Sequence, residues 1–191
     1  MLKVLVVDES SARADEICLS LVRAGYLVSA VLPNAMDLPR HVEAMSPDVI
    51  LIDTESPSRD TLEHLSAINR ANPRPVLLFS RERDAQIIRS ALRAGVAAYV
   101  AETVAPERLG AVVEVALAQF EEHQSLRQER DDAARRLSER VTIERAKGLL
   151  MKARGLDEDA AYHALRRLAM ARGRKLVEIA QGVVDGASLL M

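Results

Sequence analysis

The sequence has no tryptophan, one cysteine, two phenylalanines and three tyrosines in 191 residues. Aromatics amount to 3%, too few for the core of a β-sandwich, whereas abundant Ala, Leu, Arg and Glu favour helix. The lone Cys18 cannot form an internal disulfide, which excludes a disulfide scaffold and suits a reducing cytoplasm. No window approaches the roughly 18 to 20 uninterrupted apolar residues of a membrane span. The apolar run from Met1 to Val7 meets Asp8 too soon for a signal peptide. There is no Walker-type glycine loop, no His/Cys metal cluster and no nucleophile–base pair. The four histidines (41, 64, 123 and 163) are scattered.

What remains is an ordinary globular composition, 49% hydrophobic and 28% charged, with an uneven charge distribution. Residues 1–119 hold 12 Lys/Arg against 16 Asp/Glu, and residues 120–191 hold 14 against 12. Within Arg135–Lys175 the balance is 12 basic to 5 acidic. An acidic front and a basic stretch near the end imply two modules with different partners.

The first 105 residues alternate short apolar runs with helical patterns. Strands are expected at Leu2–Val7, Val28–Leu32, Val49–Ile52, Val76–Phe79 and Ala98–Ala101. Helices are expected at Ser10–Arg23, Val42–Met45, Leu62–Ala71 and Ile87–Ala94, with Gly25, Pro47, Pro73, Pro75 and Gly95 as punctuation. Such alternation predicts βαβ units and an α/β, doubly wound, five-stranded parallel sheet whose apolar strands are covered on both faces. Cys18 falls on the apolar side of its helix, a core position.

From Pro106 a long helix is expected, with a four-three spacing through Leu109, Val113, Ala116 and Phe120. Ala134, Leu137 and Val141 resume it after a charged stretch. This reads as an imperfect coiled-coil seam for a homodimer, or as a solvated single helix. Three helices follow: Ser138–Ala153, one from the Asp157 cap to about Arg172, and Leu176–Ala187. Gly148 inside the first of them suggests close helix packing.

Asp8 and Glu9 follow the first strand and Asp53 follows the third. In a sheet of order 2-1-3-4-5 these strands are neighbours, so the three carboxylates converge at the topological switch point. Mutual repulsion there would be relieved by a hard cation such as Mg²⁺, leaving Asp53 placed as a phosphoryl-accepting nucleophile. The plainer alternative is three solvated loop acids at helix starts.

Val6-Val7-Asp8-Glu9, Val49-Ile50-Leu51-Ile52-Asp53, Leu78-Phe79-Ser80 and Gly95-Val96-Ala97-Ala98-Tyr99-Val100 resemble the receiver domain of bacterial response regulators, a flavodoxin-like fold. The resemblance covers about residues 1–119. It implies that Asp8, Glu9 and Asp53 hold Mg²⁺ and that Asp53 is the phosphoacceptor. It also implies that Ser80 contacts the phosphoryl group and that Tyr99 turns inward on activation. Receivers carry a lysine three residues beyond the aromatic position; Glu102 stands there instead. A carboxylate would repel phosphoaspartate, so the receiver is atypical and a bound protein can replace phosphorylation as its signal.

In the helix after Asp157, Ala161, Ala164, Leu165 and Leu168 share one arc. Tyr162, His163, Arg166, Arg167 and Met170 share the other, and Arg172, Arg174 and Lys175 follow. Basic side chains around an exposed Tyr suit phosphate contact and stacking on unpaired bases; a solvated Arg-rich face is the alternative. Ala146-Lys147-Gly148-Leu149-Leu150-Met151, Ala160-Ala161-Tyr162, Leu165-Arg166 and Ala169 resemble the ANTAR domain, a three-helix RNA-binding module of transcription antiterminators. Receiver, coiled coil and ANTAR in this order resemble the AmiR/NasT class.

The resemblance implies a receiver over 1–119, a linking coiled-coil helix over 106–140 and an ANTAR domain over 135–191. It further implies a non-enzymatic regulator that binds leader RNA hairpins through Lys147, Tyr162, Arg166, Arg167, Arg172, Arg174 and Lys175. Nitrate or nitrite assimilation genes are the implied target. A nitrate-sensing inhibitory protein or a sensor kinase is the implied partner. A DNA-binding response regulator is the alternative, although no helix-turn-helix pattern is evident. A phosphatase of the haloacid dehalogenase kind would need Asp-x-Asp after the first strand, where Asp8-Glu9-Ser10 stands.

Overall fold

The computed structural model describes residues 1–102 and 104–188. Its elements run β1 (Lys3–Asp8), α1 (Ser11–Arg23), β2 (Leu27–Leu32), α2 (Leu38–Met45), β3 (Val49–Thr54), α3 (Arg59–Ala71), β4 (Val76–Ser80), α4 (Ala85–Arg93) and β5 (Ala98–Val100). A 3₁₀ turn at Pro106–Arg108 then leads into α5 (Leu109–Arg154), followed by α6 (Glu158–Arg172) and α7 (Leu176–Ser188). Two compact units are distinguished, Met1–Gln124 and a second beginning at Ser125.

In the first unit the five strands form one parallel sheet of order β2-β1-β3-β4-β5, the doubly wound arrangement expected. Strand side chains alternate between two separate cores, as the period of two requires. Leu5, Val7, Ile50, Ile52 and Leu78 pack with Leu38, Val42, Leu65 and Ala91 from α2, α3 and α4. Val4, Val6, Val49, Leu51, Leu77 and Phe79 pack with Leu21 from α1 and with Leu109, Val113 and Ala116 from α5. Cys18 adjoins this second core.

That packing corrects the expected dimer seam. Val113 and Ala116 have no exposed surface because the first turns of α5 cover the open face of the sheet. A helix lying on a sheet and a helix in a coiled coil need the same three-four apolar spacing, so the spacing does not separate them. Phe120 is half-buried; Leu137 and Val141 are 65% and 58% exposed.

The second unit has its own core. Ala146 of α5, Leu165 and Ala169 of α6, and Ile179, Ala180 and Val184 of α7 are buried together. α6 opens on Asp157, whose carboxylate accepts the Ala160 amide at 2.7 Å. It closes on Gly173, whose φ of 60° lets its N–H reach back to the Ala169 and Met170 carbonyls. The helix expected at Ser138–Ala153 is continuous with the one before it. Gly148 does not serve close packing: a Cβ there would meet nothing within 4 Å. Among the described residues, no helix is long and apolar enough to cross a membrane.

Candidate functional sites

The acidic site forms at the carboxyl ends of β1 and β3, where Asp8 and Asp53 are direct neighbours in parallel register. Asp8 is 3% exposed. Its Oδ1 accepts the Ser10 amide at 2.7 Å and Arg13 Nη2 at 3.3 Å, while its Oδ2 is buried without a hydrogen-bond partner. Asp53 lies 3.6 Å from Arg13 Nη1. Burial pushes the Asp53 carboxyl up from the usual carboxylate range, with Asp8 adding to this while Arg13 and Arg81 oppose it.

Arg13 therefore joins the two carboxylates, a role that the sequence reading missed. Glu9 does not converge with them: it is exposed. Among the described residues, no three metal-binding side chains gather into one group. The structure therefore shows a pair of carboxylates bridged by a guanidinium, with Glu9 exposed beside it. Glu9 follows the last buried strand position, where the chain turns outward into the β1–α1 loop. As hard oxygen donors, Asp8 and Asp53 fit a divalent cation, and the orphaned Asp8 Oδ2 supplies a free lone pair. The third donor would come from elsewhere.

Ser80 ends β4 beside Thr54 and is 5% exposed. Its hydroxyl donates to the Glu55 carbonyl at 2.8 Å and accepts the Glu82 amide at 3.2 Å. Tyr99 on β5 is half-buried, packs against the α2–α4 core and donates its hydroxyl to the Glu82 carbonyl at 2.9 Å. Ser80 and Tyr99 are thereby joined through the backbone of one residue, Glu82. Glu102 is 80% exposed and lies 3.8 Å from Arg83 Nη2.

In the second unit, α6 buries Ala161, Leu165 and Ala169 and exposes Tyr162, His163, Arg166, Arg167 and Met170. The rings of Tyr162 and His163 meet edge to face at 6.1 Å. Arg172, Arg174 and Lys175 are also exposed. Arg174 makes a long ion pair of 3.9 Å with Glu178. Lys147 departs from the expected basic surface. Its side chain is 9% exposed, and Nζ donates to Glu144 at 2.9 Å and to Glu158 at 2.7 Å. These bonds raise the Lys147 ammonium pKa, Glu158 contributing most. Lys147 clasps α5 to α6, because the position beside buried Ala146 turns it inward.

Residues 4–114 match the response regulator receiver domain family, and residues 131–184 match the ANTAR domain family. The transcriptional regulatory protein PdtaR of Mycobacterium tuberculosis (strain ATCC 25618 / H37Rv) is 25% identical over 183 residues, covering 96% of this chain and 89% of that protein. The nitrate regulatory protein of Klebsiella oxytoca is 42% identical over 53 residues, 28% of this chain and 13% of that protein. Among solved structures, a CheY-like response regulator receiver domain protein from Methanospirillum hungatei JF-1 superposes with a TM-score of 0.57 at 22% identity. It covers 64% of this chain and 98% of that one, and the likeness concerns the fold alone.

Proposed function

Because the chain belongs to the response regulator receiver family and carries an ANTAR domain, we propose that it is a signal-responsive transcription antiterminator acting on hairpins in leader RNA. The observation that carries this reading is the exposed arc of α6. Arg166 and Arg167 share the exposed side of α6 with Tyr162 and have no acidic partner among the described residues, and Arg172, Arg174 and Lys175 extend the positive charge. Cations beside an accessible aromatic face suit phosphates and unstacked loop bases. Lys147 acts in this reading as a positioning residue. The working division is a receiver over 1–119, a linking helix over 106–140 and an RNA-binding domain over 135–191. Exposed Leu137 and Val141 support pairing of α5 with a second copy.

In the receiver, Asp53 is the proposed phosphoacceptor, and Ser80 and Tyr99 are the proposed switch pair. A Mg²⁺ ion, held weakly by Asp8 and Asp53, would supply positive charge to the phosphoryl oxygens. Glu102 makes phosphoryl retention poor, which favours a protein partner over phosphate as the signal. The match to a protein named for nitrate regulation supports a role in nitrate or nitrite assimilation. A nitrate-sensing inhibitory protein or a sensor kinase would then act upstream in the cytoplasm.

Titration of a two-hairpin leader RNA and of a DNA duplex of equal length, at several salt concentrations, tests the assignment. Preference for the RNA is expected. Preference for the duplex would replace this reading with a DNA-binding response regulator.

A further inference from the structure

We propose that Arg13 is the resident counter-ion of the Asp8–Asp53 pocket and that a divalent cation must compete with it. The inference rests on the reading of this pocket as a cation site and is independent of what α6 binds.

Asp8 and Asp53 are held side by side by the sheet register, so neither can move away from the other. Left alone, two neighbouring carboxylates away from bulk water repel strongly. The guanidinium reaches both, with Nη2 3.3 Å from Asp8 Oδ1 and Nη1 3.6 Å from Asp53 Oδ1. One planar fork thus bridges two acids that a point charge would have to share. Arg13 sits at the third position of α1, where the helix aims it back over the strand ends. Its side chain is one-third exposed, yet its Nε is buried and unpartnered, so the stem is held inside.

Two further features point the same way. Glu9 faces solvent, which leaves two pocket carboxylates rather than three. Glu102, where a receiver's lysine would stand, is the partner of Arg83 and adds no cation. The Arg13 guanidinium at both carboxylates, with Arg81 also acting on Asp53, offsets part of the pocket's negative charge. Mg²⁺ demands near-octahedral oxygen ligation and sheds water reluctantly, so it gains little from a pocket already neutralised in part. Arg13 therefore sets the metal affinity of the receiver, and with it the ease of phosphoryl transfer to Asp53.

Calorimetric titration of the full chain with Mg²⁺ tests this on the wild type, Arg13→Met and Arg13→Lys. Arg13→Met keeps a flexible stem of similar reach without charge and should bind Mg²⁺ tighter by about ten- to a hundredfold. It should also melt at a lower temperature without metal and recover on adding Mg²⁺, whereas the wild type and Arg13→Lys should respond little. Equal Mg²⁺ affinity in wild type and Arg13→Met overturns the role of Arg13. Absence of binding in both overturns the cation-site reading together with the inference. A second measurement does not depend on the folding of Arg13→Met. The ¹⁵N resonance of the wild-type Arg13 Nε–H, assigned with Arg13→Lys, should shift as Mg²⁺ displaces the guanidinium. Metal binding that leaves this resonance unmoved overturns the inference.

Discussion

The hydroxyl of Tyr26, on the turn between α1 and β2, donates a hydrogen bond to the carboxylate of Glu114 on α5. The Tyr26 ring is 6% exposed and belongs to the core formed by α1, α5 and the sheet. The bond therefore fastens the start of α5 to the receiver at a point where the surrounding contacts are apolar. Burial first, and then the acidic partner, push the Tyr26 phenol up to about 12.

An unfolded tyrosine titrates near about pH 10, so the folded state holds this proton more tightly. The stabilisation is complete below about pH 10 and is lost as the pH rises towards 12. Tyr26→Phe should lower stability by about 1 kcal/mol at neutral pH. The gap between wild type and variant should then close through the alkaline window. Urea midpoints of both proteins across that range provide the check, and a gap independent of pH would contradict the linkage.

The two ends of the α5 apolar pattern should respond differently to charge. Val113 has no exposed surface, so Val113→Asp buries an unpaired carboxylate and should cost the receiver on the order of 3 kcal/mol or more. Leu137 is 65% exposed, and Leu137→Asp should leave the melting temperature close to that of wild type. If α5 pairs with a second copy, Leu137→Asp should also lower the sedimentation mass. A large loss of stability from Leu137→Asp without a change of mass would assign that residue to the fold instead.

These positions show how far the sequence was legible. The strands were readable because a parallel sheet covered on both faces needs nearly continuous apolar runs, and Val4–Val7 and Val76–Phe79 supply them. The pairing of Asp8 with Asp53 followed from strand order. Arg13 was not readable as chemistry. A single arginine in an amphipathic helix looks like a solvated residue, and only the angle of α1 over the strand ends brings its guanidinium to both acids. Lys147 misled for the opposite reason. It lies in a basic stretch, but Glu144 three residues before it and Glu158 eleven residues after it draw it inward. The Glu144–Lys147 spacing beside an apolar Ala146 was the available signal. In α5, core packing and self-association share one periodicity, so only the tertiary structure separates them.

Glu102 offers a charge-reversal experiment on the receiver. It is exposed and its contact with Arg83 is a long surface pair, worth at most about 1 kcal/mol. Glu102→Lys should therefore leave the fold intact while placing at position 102 the lysine that the receiver resemblance implies. Incubation with a small phosphodonor should label wild type sparsely and Glu102→Lys more fully, with slower loss of label. Robust and long-lived labelling of the wild type would show that Glu102 does not hinder the acceptor.

The α6 surface separates charge from stacking through salt. If Arg166 contacts a phosphate, it releases a counter-ion on binding, so Arg166→Ala should weaken RNA binding and reduce the salt slope by about 0.7 for a single-stranded contact. Tyr162 is uncharged and 38% exposed. Tyr162→Ala should cost about 1 to 3 kcal/mol of binding through lost stacking and leave the slope unchanged. Lys147→Gln supplies the control, because its partners are Glu144 and Glu158 rather than solvent. It should lower the melting temperature of the second unit and leave the salt slope of the folded protein at the wild-type value. The clasp should also fail in acid. The Lys147 bonds hold the Glu158 carboxyl below its usual range, so its contribution is present above the unfolded value and is lost as the pH falls through the folded one. Affinities measured at several salt concentrations, beside melting curves of the same variants, separate the three roles. A flattened slope in Lys147→Gln with unchanged melting would return Lys147 to the RNA-contacting set.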